Sequence, residues 1–411
     1  MAAAVNPAKE PLPLNLSGRI PELDGIRGLA IGLVLLWHFY VVPIDAVPRS
    51  VLAYLQAAGR LTWSGVDLFF VLSGFLIGGI LLDNREATNY FRVFYTRRFF
   101  RILPAYFLCV SVVYLLMRLI ESGTITRLSF LSSINVLPWA PHLLFLQNLW
   151  MAARNAGGIL VITWSLAIEE QFYLTLPLLV RFLSPKRLLT LVCVVIVAAP
   201  LLRLTLTLMW PGHPWAAFAL LPCRADSLML GVLGAIILRK PVWKLHLENN
   251  RSTMRLAIAV LAVGALFLTK FSFDQLSFGM LTVGYSWIAL LYVCLLLYVL
   301  TARQGSIAAL FRWSPLGRLG TLAYGVYLSH MFVLWATYGF LYAYWPRVFD
   351  LRSFGLSLPV LLVTLILCQA SWAYFEKPLV RFGHRTQYEF QERAPGSPTI
   401  NLNPEKTVAR Q

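Results

Sequence analysis

The sequence predicts an all-α fold, a polytopic integral membrane helix bundle of about ten transmembrane helices with both termini in the cytoplasm. Hydrophobic residues make up 58% of the 411 residues and charged residues only 13%, whereas soluble domains carry about 25% charged residues. The mean hydropathy is +0.69. In addition, apolar stretches of roughly 20 residues, the length that crosses a bilayer, recur along the chain. Together these observations exclude a soluble protein with a single membrane anchor.

Ten apolar segments are long enough to span a bilayer. They lie near residues 25–43, 61–82, 99–120, 159–180, 188–209, 216–238, 255–271, 279–300, 321–343 and 354–375. The longest connection between them, 121–158, contains the apolar piece Leu143 to Trp150. Because this piece is too short to span, we expect it to lie in the membrane interface or to re-enter the membrane.

The segments form one membrane domain, residues 19–385, with no second domain and no internal repeat. Residues 1–18 lack the apolar core of a signal peptide and are predicted to be a cytoplasmic N-terminal segment, so that the first helix inserts uncleaved. Residues 386–411 are polar, with proline, glycine and serine at 395–398. This composition predicts a disordered cytoplasmic tail.

The positions of lysine and arginine predict the orientation, because cytoplasmic loops carry an excess of both. With the N-terminus inside, most of the 35 lysines and arginines fall in cytoplasmic segments. The outer loops then hold only Arg49, Arg60, Arg127, Arg154, Arg347 and Arg352. Both termini are therefore predicted to be cytoplasmic. The same distribution explains most of the net charge of +17 without a nucleic acid as partner.

Ionisable side chains from six of the predicted helices fall between the middle of the membrane and its outer third. They are His38, Asp67, Glu169, Glu170, Arg203, Arg224, Asp226 and His330. Charged groups in hydrocarbon are costly, so we expect them to face the bundle interior, to pair with one another and to mark a functional site. His38 lies about 20 Å along the helix that starts at Gly25. The alternative is that each is a packing or salt-bridge residue.

A second group lies at the cytoplasmic end of the third segment, in the stretch Y-T-R-R-F-F-R-I-L-P. Arg98 and Arg101 are three residues apart and share one face of a helix, with Arg97 turned about 100° away. Two guanidiniums in this arrangement can hold a phosphate through bidentate hydrogen bonds. The alternative is a helix anchor that follows the charge bias of cytoplasmic loops.

The sequence predicts no metal site. The five cysteines, Cys109, Cys193, Cys223, Cys294 and Cys368, are scattered through apolar segments without the spacing of metal ligands or of a disulfide framework. A glycine-rich phosphate loop and the H-E-x-x-H pattern of zinc peptidases are also absent from the sequence. We therefore expect no permanently bound cofactor.

Seven short motifs together resemble the membrane acyltransferase 3 family, the multi-pass O-acyltransferases of bacterial envelopes and some antibiotic pathways. They are L-D-G-I-R-G at 23–28 with His38 eleven residues after Arg27, V-D-L-F-F-V-L-S-G-F-L-I at 66–77, R-R-F-F-R-I-L-P at 97–104, W-S-L-A-I-E-E-Q-F-Y at 164–173, R-A-D-S-L at 224–228, Y-G-V-Y-L-S-H at 324–330 and F-E-K-P at 375–378. They occur in the family's order across about residues 19–385. Some family members add a soluble esterase-like domain after the membrane part. The short tail here leads us to expect a stand-alone acyltransferase.

The resemblance implies roles for particular residues. Arg27 and His38 correspond to the arginine and histidine, separated by ten residues, that are considered essential in the family. Arg98 and Arg101 correspond to the family's R-x-x-R pair, which is associated with the acyl donor. That donor is usually acyl-CoA and most often acetyl-CoA, used as a co-substrate. Glu169 and Glu170 both stand at the acidic position of the 164–173 motif, and the sequence does not choose between them.

Acyl transfer to a hydroxyl needs a general base, usually a histidine, and His38 is the candidate. Asp24 is not its obvious partner, since fourteen residues of straight helix separate the two by about 21 Å. Arg27, about 16 Å away on such a helix, is better interpreted as a contact to the donor. The carboxylates of Glu169, Glu170 or Asp67 lie closer in depth to His38.

The expected layout places the CoA phosphates at the cytoplasmic arginines, the thioester at His38 and the acceptor on the outer side. Asp24, Asp67, Trp164, Arg203, Arg224, Asp226 and His330 are predicted to support the site as buried polar residues. Direct transfer and an acyl-histidine intermediate are both compatible with this layout. The predicted partners are acyl-CoA, a carbohydrate or glycoconjugate acceptor and the bilayer of the cell membrane, while the oligomeric state is not indicated.

Other functions are also compatible with buried ionisable groups. A proton-coupled secondary transporter uses buried histidine, glutamate and arginine for proton relays, although such transporters often contain internal repeats and broken helices, which this sequence lacks. A non-catalytic envelope scaffold would leave the deep charges unexplained. Hydroxyls of lipopolysaccharide, exopolysaccharide, peptidoglycan or a glycosylated small molecule are all candidate acceptors, and the acyl chain length is not indicated.

Overall fold

The computed structural model describes residues 20–134, 137–271 and 274–391. The predicted N-terminal segment, 1–18, and residues 392–411 of the predicted tail, 386–411, lie outside the described residues. Within the described ranges the structure is helical, and its only β pairing is an isolated bridge between Ile44 and Val348. The predicted all-α fold is therefore confirmed.

The α-helices are numbered in chain order. They are α1 Pro21–Leu36, α2 Val51–Ala58, α3 Gly65–Asp83, α4 Tyr90–Glu121, α5 Trp139–Leu143, α6 Gln147–Arg154, α7 Trp164–Phe182, α8 Pro185–Met209, α9 Pro214–Ala219, α10 Leu221–Leu238, α11 Pro241–Asn249, α12 Arg251–Phe271, α13 Tyr285–Thr301, α14 Ser306–Phe311, α15 Ser314–Tyr342, α16 Leu351–Ser371 and α17 Lys377–Gly383. Three π-helical segments, Trp37–Val41, Met280–Gly284 and Trp372–Glu376, adjoin α1, α13 and α16. Short 3₁₀ turns cover Thr62–Ser64, Ser129–Ser133 and Val161–Thr163.

Nine helical spans of the described chain are long and apolar enough to cross a membrane. The remaining predicted segment, 159–180, forms α7, which has 19 residues but carries Glu169, Glu170 and Arg181 and is not among the nine. The prediction of a bundle of about ten helices is thus confirmed, and the chain is a multi-pass membrane protein. The side of the membrane on which each terminus lies stays a prediction.

Several helices begin earlier than the hydropathy pattern predicts. α1 begins at Pro21, α4 begins at Tyr90 rather than near 99, and α15 begins at Ser314. Hydropathy marks only the part of a helix that lies in hydrocarbon, whereas backbone hydrogen bonding continues through the charged turns beyond it. As a result Arg98 and Arg101 lie inside α4, as their proposed common face requires.

The apolar piece of the longest connection is held to the bundle through two amide side chains. Residues 143–150 comprise the last residue of α5, three connecting residues and the first four residues of α6. Two fully buried amides fix α6: Gln147 donates to the carbonyl of Thr163 at 2.9 Å, and Asn148 donates to the carbonyl of Ala219 at 3.1 Å. These bonds connect α6 to the segments that precede α7 and α10.

α3 and α10 pack as a parallel pair in which glycine allows close backbone approach. A Cβ atom on Gly74 would lie 1.9 Å from the carbonyl oxygen of Leu228, and one on Gly231 would lie 2.1 Å from the carbonyl oxygen of Val71. Small residues at such interfaces let membrane helices approach until their backbones touch. The close contact holds the N-terminal turns of α3 and α10 side by side.

α1 and α15 form a second close pair. A Cβ atom on Gly28 would lie 2.0 Å from the carbonyl oxygen of Leu316. Farther along the same two helices, Ile31, Val34 and Val326 are buried in a common apolar cluster. This packing aligns the end of α1 with the middle of α15, where each helix carries a histidine.

Candidate active site

Two histidines from α1 and α15 meet in the interior. The Nε2 atom of His330 lies 3.3 Å from the Nδ1 atom of His38, and the two ring centroids are 4.9 Å apart. His38 belongs to the π-helical segment Trp37–Val41 that continues α1. π-Helical turns are rare and occur often at functional sites.

The hydrogen bonds of the pair determine which nitrogen of each neutral ring carries the proton. His330 Nδ1 faces two carbonyl oxygens, those of Val326 at 3.0 Å and Tyr327 at 2.8 Å, so it must be the donor. Its Nε2 atom is therefore an acceptor. His38 Nδ1 faces that acceptor and the carbonyl of Val34 at 3.0 Å, so it too carries a proton. The Nε2 atom of neutral His38 consequently holds a free lone pair.

His38 lines a cavity that encloses about 600 Å³ of empty space, including the part open to the outside. The walls are mainly aromatic: Trp37, Trp63, Trp164, Trp215, Phe218, Tyr285 and Tyr327. The polar side chains of Asp67, Arg224 and Gln275 also line it. The cavity thus combines a potential base with flat apolar surfaces and a carboxylate–guanidinium pair.

The pair in the cavity wall joins the first turns of α3 and α10. Arg224 donates through Nη2 to Oδ1 of Asp67, and both side chains are 1% exposed. The guanidinium lies among the rings of Phe70, Trp164, Phe218 and Tyr285, and its carbon is 3.7 Å from the centroid of the Tyr285 ring. Cation–π contacts of this kind are strongest when the cation is removed from water.

A second buried pair, Arg203 with Asp226, lies next to the first. The Nη2 atom of Arg203 is 2.8 Å from Oδ2 of Asp226, and both side chains are fully buried. The same guanidinium donates to the carbonyl of Leu281 at 2.8 Å and to the hydroxyl of Ser286 at 2.6 Å. Leu281 lies in the π-helical segment before α13. This pair therefore ties together α8, α10 and α13.

Three arginines form a separate group, which we call the arginine cluster: Arg27, Arg98 and Arg101. They come from α1 and α4 and interact electrostatically with one another. Arg27 is paired with Asp24 at 2.8 Å, and Arg101 interacts electrostatically with Glu376. Close cations repel one another, so a bound polyanion would stabilise this arrangement.

The carboxylates of α7 interact electrostatically with the arginine cluster. Glu169 interacts with Ser73, with Tyr173 and electrostatically with Arg98 and Arg101. Tyr173 in turn has the Arg98 guanidinium 5.6 Å from its ring centroid. Glu170 interacts with Glu169 and Arg98, but its buried Oε1 atom has no hydrogen-bond partner in the described part of the chain.

Tyr327 contacts groups in the cavity and also interacts with a carboxylate of α7. It lines the cavity, its ring centroid is 6.0 Å from that of His330, and its hydroxyl donates to the carbonyl of Ile162 at 2.8 Å. It also interacts electrostatically with Glu169. Tyr327 therefore interacts both with the histidine pair and with Glu169.

The structure corrects one expectation about the partner of His38. The predicted candidates were Glu169, Glu170 and Asp67, but the side chain in hydrogen-bond contact with His38 is that of His330. Asp67 is instead held by Arg224, and both glutamates interact electrostatically with Arg98. Depth along a helix does not determine which face a side chain occupies, and 292 residues separate the two histidines in sequence.

The remaining predicted residues fall where pairing was expected. Asp24 contacts Arg27 rather than His38, and Trp164 packs at the cavity wall against Phe70 with centroids 5.9 Å apart. Six further residues at these sites were not predicted from the sequence: Ser73, Trp63, Tyr173, Tyr285, Tyr327 and Glu376. The spacing of Tyr173 four residues after Glu169, on one face of α7, was the available signal for one of these.

Comparison with known proteins identifies related chains. The model of a family described as an acyltransferase domain matches residues 20–373. The peptidoglycan O-acetyltransferase OatA of Listeria monocytogenes is 26% identical over 382 residues, which cover 89% of this chain and 56% of the relative. The O-acetyltransferase OatA of Staphylococcus aureus is 23% identical over 396 residues, covering 89% and 58%. The acyltransferase MdmB of Streptomyces mycarofaciens is 28% identical over 243 residues, covering 55% and 59%.

The chain spans little more than half the length of these curated relatives, 56% to 59%. No solved structure matches it.

Proposed function

The chain belongs to the acyltransferase 3 family, whose model covers residues 20–373, and from this premise we propose that it is a membrane O-acyltransferase. It transfers an acyl group from acyl-CoA to a hydroxyl of a carbohydrate acceptor, and acetyl is the proposed acyl group. Two of the relatives are named as O-acetyltransferases, one of them acting on peptidoglycan. A glycan of the cell envelope is therefore the proposed class of acceptor.

The observation that carries this proposal is the hydrogen-bond geometry of the histidine pair, from which the proton positions were inferred. With Nδ1 of His38 engaged as a donor, Nε2 is free to remove a proton from an acceptor hydroxyl. The hydroxyl oxygen attacks the thioester carbonyl, the carbon–sulfur bond breaks and CoA leaves as the thiolate. The proton held by His38 then passes to the leaving sulfur, which restores the neutral ring.

The arginine cluster supports donor binding at the other end of α1. Arg27 and His38 are eleven residues apart, about 16 Å along the helix. In this arrangement the CoA phosphates bind at Arg98 and Arg101. The extended arm of the donor then runs past Glu169 and Tyr327 and brings the thioester to His38. Guanidiniums suit this role because they bind phosphate through two parallel hydrogen bonds.

The test is acetyl transfer from radiolabelled acetyl-CoA to a soluble peptidoglycan fragment by the purified protein in nanodiscs. We expect His38→Ala to lower the rate by roughly 10²–10⁴-fold, the usual contribution of a general base. His246→Ala is the matched control, because His246 is an exposed histidine of α11.

Normal turnover by folded His38→Ala protein would remove His38 from the mechanism. Absence of label on any glycan, combined with proton-driven uptake of a solute into proteoliposomes, would instead favour a transporter.

A further inference from the structure

The cavity contains an unusual concentration of buried polar atoms without partners. Oδ2 of Asp67, Nε and Nη1 of Arg224 and Nε1 of Trp63 have no hydrogen-bond partner within the described residues. All three side chains line the same cavity. Buried polar groups are nearly always hydrogen-bonded, so such a cluster calls for an explanation.

The neighbouring ion pair supplies an internal comparison. Every nitrogen of the Arg203 guanidinium has an acceptor, namely Leu281, Cys223, Asp226 or Ser286. Its partner Asp226 also accepts from the backbone N–H of Ser227 and from Ser286. A pair whose role is to connect helices is thus fully satisfied here. The pair Asp67–Arg224, whose arginine lies on the same helix α10 as Asp226, is not fully satisfied.

We propose that Asp67, Arg224 and Trp63 form a subsite for the hydroxyl groups of a neutral sugar ring. This inference rests on the proposed function and assigns the acceptor to this wall of the cavity. A hydroxyl donates one hydrogen bond and accepts up to two, so the several hydroxyls of one sugar ring can together satisfy the free carboxylate oxygen and the three free donor nitrogens.

Charged ligands fit the same atoms less well. An anion, including the oxyanion of a reacting thioester, would meet Arg224 favourably but would lie against the carboxylate of Asp67. A cation would meet Asp67 favourably but would lie against the guanidinium of Arg224. Because the two charges already neutralise each other, the site favours a ligand that is polar but uncharged.

The aromatic walls complement the apolar faces of such a ring. Trp63 and Tyr285 meet edge to face with centroids 5.5 Å apart, and Trp164 lies 4.4 Å from Phe218, centroid to centroid. The rings of Trp164, Phe218 and Tyr285 also lie against the guanidinium of Arg224. A sugar can thus place its C–H faces on the rings while its hydroxyls reach the polar atoms.

The experiment measures saccharide binding without any acyl donor, by quenching of intrinsic tryptophan fluorescence of the full chain in nanodiscs. The probes are neutral triacetylchitotriose, cationic chitotriose and anionic trigalacturonate. We expect saturable binding of the neutral trisaccharide, at least tenfold tighter than that of either charged one. Asp67→Asn should weaken that binding more than tenfold.

Trp63→Phe is the conservative variant, since it keeps a six-membered aromatic ring while removing the N–H group together with the five-membered ring that carries it. It should weaken binding roughly 2–10-fold, the effect of losing one neutral hydrogen bond. Ser286→Ala is the control: it removes a partner of the satisfied pair and should lower the thermal midpoint without changing saccharide affinity.

Equal affinity of wild type, Asp67→Asn and Trp63→Phe for the neutral trisaccharide would overturn the subsite, as would preferred binding of trigalacturonate. Binding that follows the expected pattern in a protein without acyl-transfer activity would uphold the subsite and reject only the proposed function. Acyl transfer by the wild type, together with normal saccharide binding by Asp67→Asn and Trp63→Phe, would uphold the proposed function and reject the subsite.

Discussion

At the scale of single residues, His330 and the carbonyl of Val34 together favour a proton on Nδ1 of His38. The Nε2 atom of His330 accepts from His38 at 3.3 Å, and this bond strengthens when His38 becomes positively charged during proton removal. His330→Leu should therefore lower kcat by roughly 10–100-fold, since a hydrogen bond to a charged group contributes about 1.5–3 kcal/mol. His330→Gln retains an acceptor and should recover part of this loss.

Steady-state kinetics with varied acceptor would check this prediction. KM should change little in both variants, because His330 does not line the cavity. Equal rates for the Leu and Gln variants would show that His330 only fills space.

The two carboxylates of α7 differ in their surroundings. Glu169 interacts with Ser73, Tyr173 and the arginine cluster, and adjacent helical residues diverge by about 100°. We expect at least one of Glu169→Gln and Glu170→Gln to be inactive, and Glu169→Gln to be the more severely affected. Initial rates of both variants, normalised to folded protein, would test this. If both retain full activity, the motif at 164–173 serves the structure alone.

Arg98 and Arg101 are expected to bind the phosphates of the donor. Arg98→Lys and Arg101→Lys keep the charge but lose the planar fork, so each should raise the KM for acyl-CoA with unchanged expression. The expected loss is on the order of 1–3 kcal/mol. Arg92→Lys, on an exposed position of the same helix, is the control. A different result would make these arginines helix anchors: the lysine variants would match the KM of wild type, and the alanine variants would only fail to insert. Arg27 would then be the next candidate for the donor site.

At the scale of helices, the close contact between α3 and α10 holds the subsite together. Gly74→Ala would place a methyl group 1.9 Å from the carbonyl oxygen of Leu228 and should lower the free energy of unfolding by about 1–3 kcal/mol. Gly317→Ala is the matched control: Gly317 also lies in a helix, but its Cβ position has no neighbour within 4 Å. It should be neutral or stabilising by up to about 1 kcal/mol.

Thermal unfolding of both variants in nanodiscs provides the measurement. A Gly74→Ala midpoint equal to that of Gly317→Ala would mean that the two helices can separate without cost.

The π-helical segments are a second feature at this scale. Each adds a residue to a helical turn and so redirects the groups near it. One segment contains His38, one contains Leu281, which accepts from Arg203, and one ends at Glu376 beside the arginine cluster. All three therefore lie at polar sites of the bundle.

At the scale of the whole molecule, the arginine cluster and the cavity beside His38 lie at opposite ends of α1. Arg97 donates to the carbonyl of Thr386 at 2.7 Å, so the residues after α17 lie at the end that holds the arginine cluster. The bridge between Ile44 and Val348 joins two connections at the other end, beyond His38. Donor and acceptor would accordingly approach from opposite sides of the membrane.

This arrangement predicts the labelling pattern of introduced cysteines. In a variant without its five cysteines, a membrane-impermeant maleimide should label Asp45→Cys on intact cells but Gln387→Cys only after permeabilisation. Both positions are exposed. Labelling of Gln387→Cys on intact cells would reverse the predicted orientation, and with it the side from which the donor arrives.

Much of the architecture was accessible from the sequence, because hydrocarbon imposes a simple rule. A span must be helical, about 20 residues long and apolar, so composition alone predicted the bundle. The same rule singled out His38, Asp67 and Arg224, since ionisable groups in hydrocarbon are energetically costly and usually serve a function. The common helical face of Arg98 and Arg101 followed from their spacing, although the start of α4 was placed too late.

Only the tertiary structure decided which of these groups meet. A position in sequence sets a side chain's depth along its helix but not the direction in which it points. That direction depends on helix rotation, on close glycine contacts and on π-helical turns that no hydropathy pattern marks. His38 therefore pairs with His330 rather than with a carboxylate, and Asp67–Arg224 keeps free atoms toward the cavity while Arg203–Asp226 keeps none. The sequence determined which residues the bilayer makes costly, and packing between distant helices determined what they can do.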